Sequence, residues 1–239
     1  RQVETGWESI LQEARDAGIP VILSDRSVEL EDDSLYTCWV GSNFQEEGEN
    51  AGKWLADYLK QQGMEDTVNI VALQGTLGST AQIGRTKGFE AVCRQHPEWN
   101  LLESRPADFT QAKGKEVMED FLRLYEDIDV VISENDNMTF GAIDAIEQAG
   151  KTCGPDGDIC IISFDAVQAA LIAMQNGKIN ADFECNPLLA PKVEEVIRRL
   201  EKGEQVEKMQ YIDETYYDSS MDLSKVIDQE RNGNENGEF

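Results

Sequence analysis

A chain of 239 residues, 40% hydrophobic and 28% charged with 6 prolines, is long enough for a buried core and unlike a disordered or fibrous sequence. Its 47 acidic against 21 basic residues give a formal charge of -26, which repels phosphate backbones and anionic lipid and argues against nucleic acid as a partner. The five cysteines, at 38, 93, 153, 160 and 185, lack CxxC spacing and histidine partners, so no metal site is expected.

The first predicted helix covers 7–17, where Trp7, Ile10, Leu11 and Ala14 fall at helical spacing and Gly18 stops it. The apolar run 19–23 has the form of a strand covered on both faces, and it ends in Ser24-Asp25-Arg26. A helix over 45–61 leads into a strand over 68–73, whose exit reads Gln74-Gly75-Thr76. Helices over 82–95 and 110–125 follow, then a strand over 130–133 with the exit Glu134-Asn135-Asp136. A helix over 138–149, a strand over 159–163 with the exit Phe164-Asp165, and a helix over 167–176 continue the series. Gly63, Gly150 and Gly177 stand after three of these helices, where a left-handed residue ends the spiral. Alternation of this kind is βαβ logic and predicts an α/β protein with a doubly wound parallel sheet. Residues 232–239 are polar and glycine-rich and read as a loosely held terminus.

In such a sheet a ligand binds beyond the carboxyl ends of the strands, and here those ends are polar. Asp, Asn and Arg are planar groups that engage neighbouring hydroxyls two at a time, the requirement of a polyhydroxylated guest, and aromatic faces cover its C–H surface. Each residue also has a plainer reading. Asp25 and Arg26 can be a surface ion pair, Arg85 can solvate its helix, and Asn135 and Asp165 can cap the helices after them. The Gly-rich segment 74–80 lacks the lysine of a phosphate loop, and GxGxxG is absent, which leaves no nucleotide site. The single histidine, His96, precedes Pro97, and no GxSxG elbow is present, so no enzyme chemistry is expected.

The ordered set 20–26, 73–76, Gly88-Phe89, Ala107-Asp108-Phe109, Lys113-Gly114, Glu134-Asn135-Asp136, Gly141-Ala142 and Ser163-Phe164-Asp165 resembles the type I periplasmic binding proteins, the sugar-binding components of ABC importers related to ribose binders. Thr5-Gly6-Trp7, Asp25-Arg26-Ser27 and 113–119 narrow the resemblance to the galactofuranose-binding branch. The resemblance implies two doubly wound lobes, 1–41 with 186–214 and 42–185 with 215–239, joined by a three-crossover hinge that closes on a monosaccharide. It implies Asp25 and Arg26 as contacts from the first lobe and Arg85, Phe109, Asn135, Phe164 and Asp165 from the second. Cys185 stands where ribose binders have glutamine, which turns the reading away from ribose and makes Glu184 a candidate hydroxyl acceptor or a structural residue. No cofactor is implied. The partners implied are the importer's permease subunits, the state monomeric and the location extracytoplasmic, periplasmic or lipid-anchored. Family members carry further strands before the region matching Thr5, so the first lobe is expected to be incomplete and the chain a truncated part of a longer protein that binds sugar poorly by itself. A LacI-type effector core and a receptor's sugar-sensing domain share the fold and are the alternatives.

Overall fold

A computed structural model describes residues 5–64 and 66–228, so the terminus read at 232–239 and the end of the second predicted lobe lie outside the described residues. The elements are α1 (Glu8–Asp16), β1 (Ile22–Ser24), a 3-10 turn (Asp33–Leu35), β2 (Cys38–Gly41), α2 (Phe44–Gln62), β3 (Val68–Gln74), α3 (Thr80–Cys93), β4 (Trp99–Pro106), α4 (Gln111–Leu124), β5 (Val130–Ser133), α5 (Asp136–Gln148), β6 (Cys160–Asp165), α6 (Gln168–Gln175), β7 (Ala181–Glu184), α7 (Ala190–Glu201), β8 (Met209–Tyr211) and β9 (Tyr216–Asp218). Among the described residues no helix is long and apolar enough to cross a membrane.

These strands form two sheets. The larger runs β4-β3-β5-β6-β7-β9, parallel except for the antiparallel β7–β9 pair, and the smaller runs β1-β2-β8, all parallel. The larger sheet is buried on both faces because successive residues of its central strands serve different layers. Val71, Val131 and Ile161 pack with α4, α5 and α6, whereas Ile70, Ile132 and Ile162 pack with α2 and α3. Burying each such side chain contributes about 1.5–3 kcal/mol, which is why these strands read as continuous apolar runs.

The α/β class and the parallel central strands follow the sequence pattern, with shifted bounds. The strand predicted over 19–23 is Ile22–Ser24, and β6 runs on to Asp165. The chain passes between the sheets three times: after β2, after β7 and after β8. Close approach of α3 to α2 depends on glycine. A Cβ at Gly48 would strike the Arg85 carbonyl, and one at Gly88 would strike the Gln45 carbonyl. Those glycines bring the backbone carrying Arg85 against the start of α2.

Candidate functional site

Arg85 lies in the second turn of α3, only 2% exposed. A buried guanidinium needs full pairing, and this one has it. Its Nε donates to Glu47 Oε2 at 2.7 Å, one terminal nitrogen to the Glu134 carbonyl at 2.5 Å and the other to Asp165 Oδ1 at 3.0 Å. Its plane lies 4.9 Å from the Phe164 ring centroid and 5.4 Å from that of Phe44. The Glu47 and Asp165 charges hold its pKa well above the ordinary arginine value despite burial.

Asp165 sits at the carboxyl end of β6 with φ +104, followed by Ala166 at φ +54, both in the left-handed region that L-residues avoid. Such residues cost roughly 1–3 kcal/mol each and persist where the surroundings over-determine them. Here Asp136 Oδ2 accepts from the Val167 amide at 2.8 Å and Asp182 Oδ1 from the Ala166 amide at 3.1 Å, while Arg85 grips Asp165 itself. Burial pushes the Asp136 carboxyl up to about 7, and burial with the Asp136 charge beside it pushes Asp182 well above the carboxylate range. Asp136 also accepts from Ser163 Oγ at 2.5 Å. The pair is an anchor for the exposed turn above it.

Asn135 caps α5, its Oδ1 accepting from the Met138 amide at 3.0 Å, and its side chain lies close enough to Asp165 to favour that carboxyl's charged form. Cap and site neighbour are thus one residue. Glu134, pushed up to about 7 by burial, accepts from the Gly75 amide at 2.7 Å and from Thr86 Oγ1 at 2.5 Å. Gly75 in turn leaves room for the ring of Phe109, which any Cβ there would strike.

From the smaller sheet, Arg26 stands 5.7 Å from the ring centroids of both Phe44 and Phe109 and 3.6 Å from the Asp25 carboxylate. Its charge also acts on Asp165. Asp25, with φ +62, donates its amide to the Val40 carbonyl at 2.9 Å, and its carbonyl accepts from Trp39 Nε1 at 3.2 Å.

Seven of the eight predicted residues, Asp25, Arg26, Arg85, Phe109, Asn135, Phe164 and Asp165, form one connected group spanning both sheets. Phe164 has no exposed surface and is the floor beneath Arg85 rather than a face turned to the cleft. Glu184 stands apart: its carboxylate accepts from the Thr215 amide at 3.0 Å, and it lines a separate cavity of about 470 Å³ with Glu47, Tyr211 and Glu214. Sequence reasoning missed Glu47, hidden in an acidic chain. Its one signal is the adjoining Gly48, a small residue inside a helix.

The profile of the periplasmic binding protein domain matches residues 3–187. The chain belongs to the periplasmic binding protein family. Within that family it is 38% identical over 219 residues to the galactofuranose-binding protein YtfQ of Escherichia coli (strain K12), covering 90% of this chain and 67% of that protein. The periplasmic binding protein of the arabinose ABC transporter from Shewanella sp. ANA-3, solved with α- and β-L-arabinofuranose, superposes with a TM-score of 0.89 at 37% identity, covering 99% of this chain and 77% of its own. A Mycobacterium smegmatis protein solved with β-D-fucofuranose gives a TM-score of 0.86 at 40% identity, covering 96% and 74%. The chain spans 67% and 63% of the length of the first two curated relatives it matches. Such relatives are extracytoplasmic binding proteins, and the periplasmic binding protein reading of the motifs holds across nearly the whole chain.

Proposed function

We propose that this chain is the greater part of a sugar-binding component of an ABC importer, and that its guest is a monosaccharide in furanose form. The observation that carries the reading is the meeting of Arg26 from the smaller sheet with Phe109, Asn135 and Asp165 from the larger one at the carboxyl ends of the strands. Asp165 has its second oxygen free of Arg85 and is 30% exposed, so it suits a hydroxyl donor. Arg26, Asp25 and Asn135 supply the remaining polar contacts, Phe109 covers a C–H face, and Arg85 on Phe164 fixes the floor. Galactofuranose, arabinofuranose and fucofuranose are the sugars of the three relatives above, which supports the five-membered ring.

In this reading residues 1–41 with 186–214 and 42–185 with 215–239 are two lobes, and the three passages near 41, 185 and 214 are the hinge. Closure brings Arg26 down on the guest, and the closed form is what the permease recognises. In this reading the sugar leaves unchanged. The working unit is a monomer held outside the cytoplasm.

The test is a thermal-shift panel on the native protein that carries this chain, with galactose, ribose, xylose, arabinose, glucose and galactofuranosides. Stabilisation by the sugars that populate or carry a furanose ring is expected. A panel without any shift would sink the proposal, and preference for glucose would sink its furanose part.

A further inference from the structure

We propose that Glu47, Cys185 and Glu214 form a binding site for a divalent cation of the zinc class at the point where the three passages between the sheets meet. One ligand atom from each, a Glu47 oxygen, Cys185 Sγ and a Glu214 oxygen, lie within 4.8 Å of one another. Glu47 is 6% exposed, and among the described residues its Oε1 is fully buried without a hydrogen-bond partner. Arg85 engages the other oxygen of this carboxylate, and among the described residues no donor reaches Oε1, which leaves it open to a cation.

The surroundings are those of a metal ligand set. Glu47 Oε2 is held by Arg85 at 2.7 Å, and Glu214 Oε1 accepts from Ser42 Oγ at 2.6 Å and the Asn186 amide at 2.7 Å, so both carboxylates are oriented from behind. Ser42 Oγ also lies 3.4 Å from Cys185 Sγ. The adjoining cavity of about 470 Å³, which Glu47 and Glu214 line, also carries the carboxylates of Glu46, Glu184 and Asp213 on its wall and no lysine or arginine, which draws cations in. One thiolate with two carboxylates and an open position suits zinc, whereas calcium and magnesium take oxygen alone.

Each donor belongs to a different passage: Glu47 follows the first, Cys185 lies in the second and Glu214 in the third. Their separation in the chain is why no ligand spacing shows in the sequence. A bound ion would tie the three segments together and restrict the movement of one sheet against the other. The site does not depend on the sugar reading.

Equilibrium dialysis of the chelator-stripped full chain against Zn²⁺ alone, with Co²⁺ or Cd²⁺ as spectroscopic probes, tests it. One saturable equivalent and a thiolate-to-metal charge-transfer band are expected. Cys185→Ser should abolish the band, and Glu214→Gln and Glu47→Gln should each weaken binding at least tenfold, while Glu46→Gln leaves it unchanged. Circular dichroism of each variant without metal establishes that it folds. Absence of saturable binding, or binding that survives Cys185→Ser with no thiolate band, overturns the proposal. Sugar titration of the stripped protein in parallel separates the two readings, since loss of either binding leaves the other standing.

Discussion

In the larger sheet, β3, β5 and β6 bury successive residues on opposite faces, each against its own helical layer. In the smaller sheet, α1 and α7 bury one residue apiece, Leu11 and Val196, while Ile10 is 58% exposed. The smaller sheet takes much of its support from the junction, where Trp39 is buried against Phe44 and Ala81 from the other side. The proposed binding group sits on that boundary, with its floor, Arg85 on Phe164, in the well-packed half and Arg26 on the less supported one. That asymmetry suits a clamp whose two parts change their separation.

Four perturbations would break or sharpen this contrast. Arg85→Ala leaves the buried Glu47 carboxylate and Asp165 without their cation, and should cost about 3–5 kcal/mol in urea unfolding and abolish sugar binding. Unchanged unfolding would mean that the floor is not held from the larger sheet. Next, Phe121→Ala empties a fully buried position of the larger sheet's core and should cost about 3–5 kcal/mol, against about 2 kcal/mol, the low end for a buried leucine, for Leu11→Ala beside the smaller sheet. Equal costs would erase the distinction drawn here.

The third is pH. Glu134 and Asp136, both raised to about 7 by burial, bind protons in the folded chain that the unfolded chain, titrating near about 4, has already lost. Their contribution is fully present below about pH 4 and is lost as pH rises through about 7, so the thermal midpoint should fall between pH 5.5 and 8.5. The high net charge pushes the same way, and Glu134→Gln separates the two by flattening part of the slope. A slope identical to the parent's would show that Glu134 does not hold a proton. Smallest is Arg198→Ala, whose exposed pair with Glu194 should be worth under about 1 kcal/mol by chemical denaturation. A larger loss would give α7 a supporting role absent from this account.

The central strands were legible in the sequence because burial on both faces leaves uninterrupted apolar runs. The edges were not. β4 carries Asn100, Glu103, Ser104 and Arg105, and β7 is Ala-Asp-Phe-Glu, whose buried Asp182 accepts from the Ala166 amide. Pairing in the sheet overrode the polar pattern at both. At the site, strand exits pointed to Asp25, Arg26, Asn135 and Asp165, since topology fixes where strands end, while Arg85, inside α3, came from the resemblance. Sequence position says nothing of which way a side chain turns, which is why Phe164 proved to be floor and Glu184 faces Thr215. Nor could it show Glu47 beneath Arg85, because helix packing through Gly48 and Gly88 brings the two together.

The claim that two sheets meet on one guest is tested most directly by calorimetric titration of Arg26→Ala with a galactofuranoside, beside the native protein. Arg26 lies outside the larger sheet's core and stands over the rings of Phe44 and Phe109. The account predicts one site in the native protein and affinity at least about tenfold weaker in the variant, as loss of a charged hydrogen-bond donor implies. Binding of unchanged strength in Arg26→Ala would contradict it.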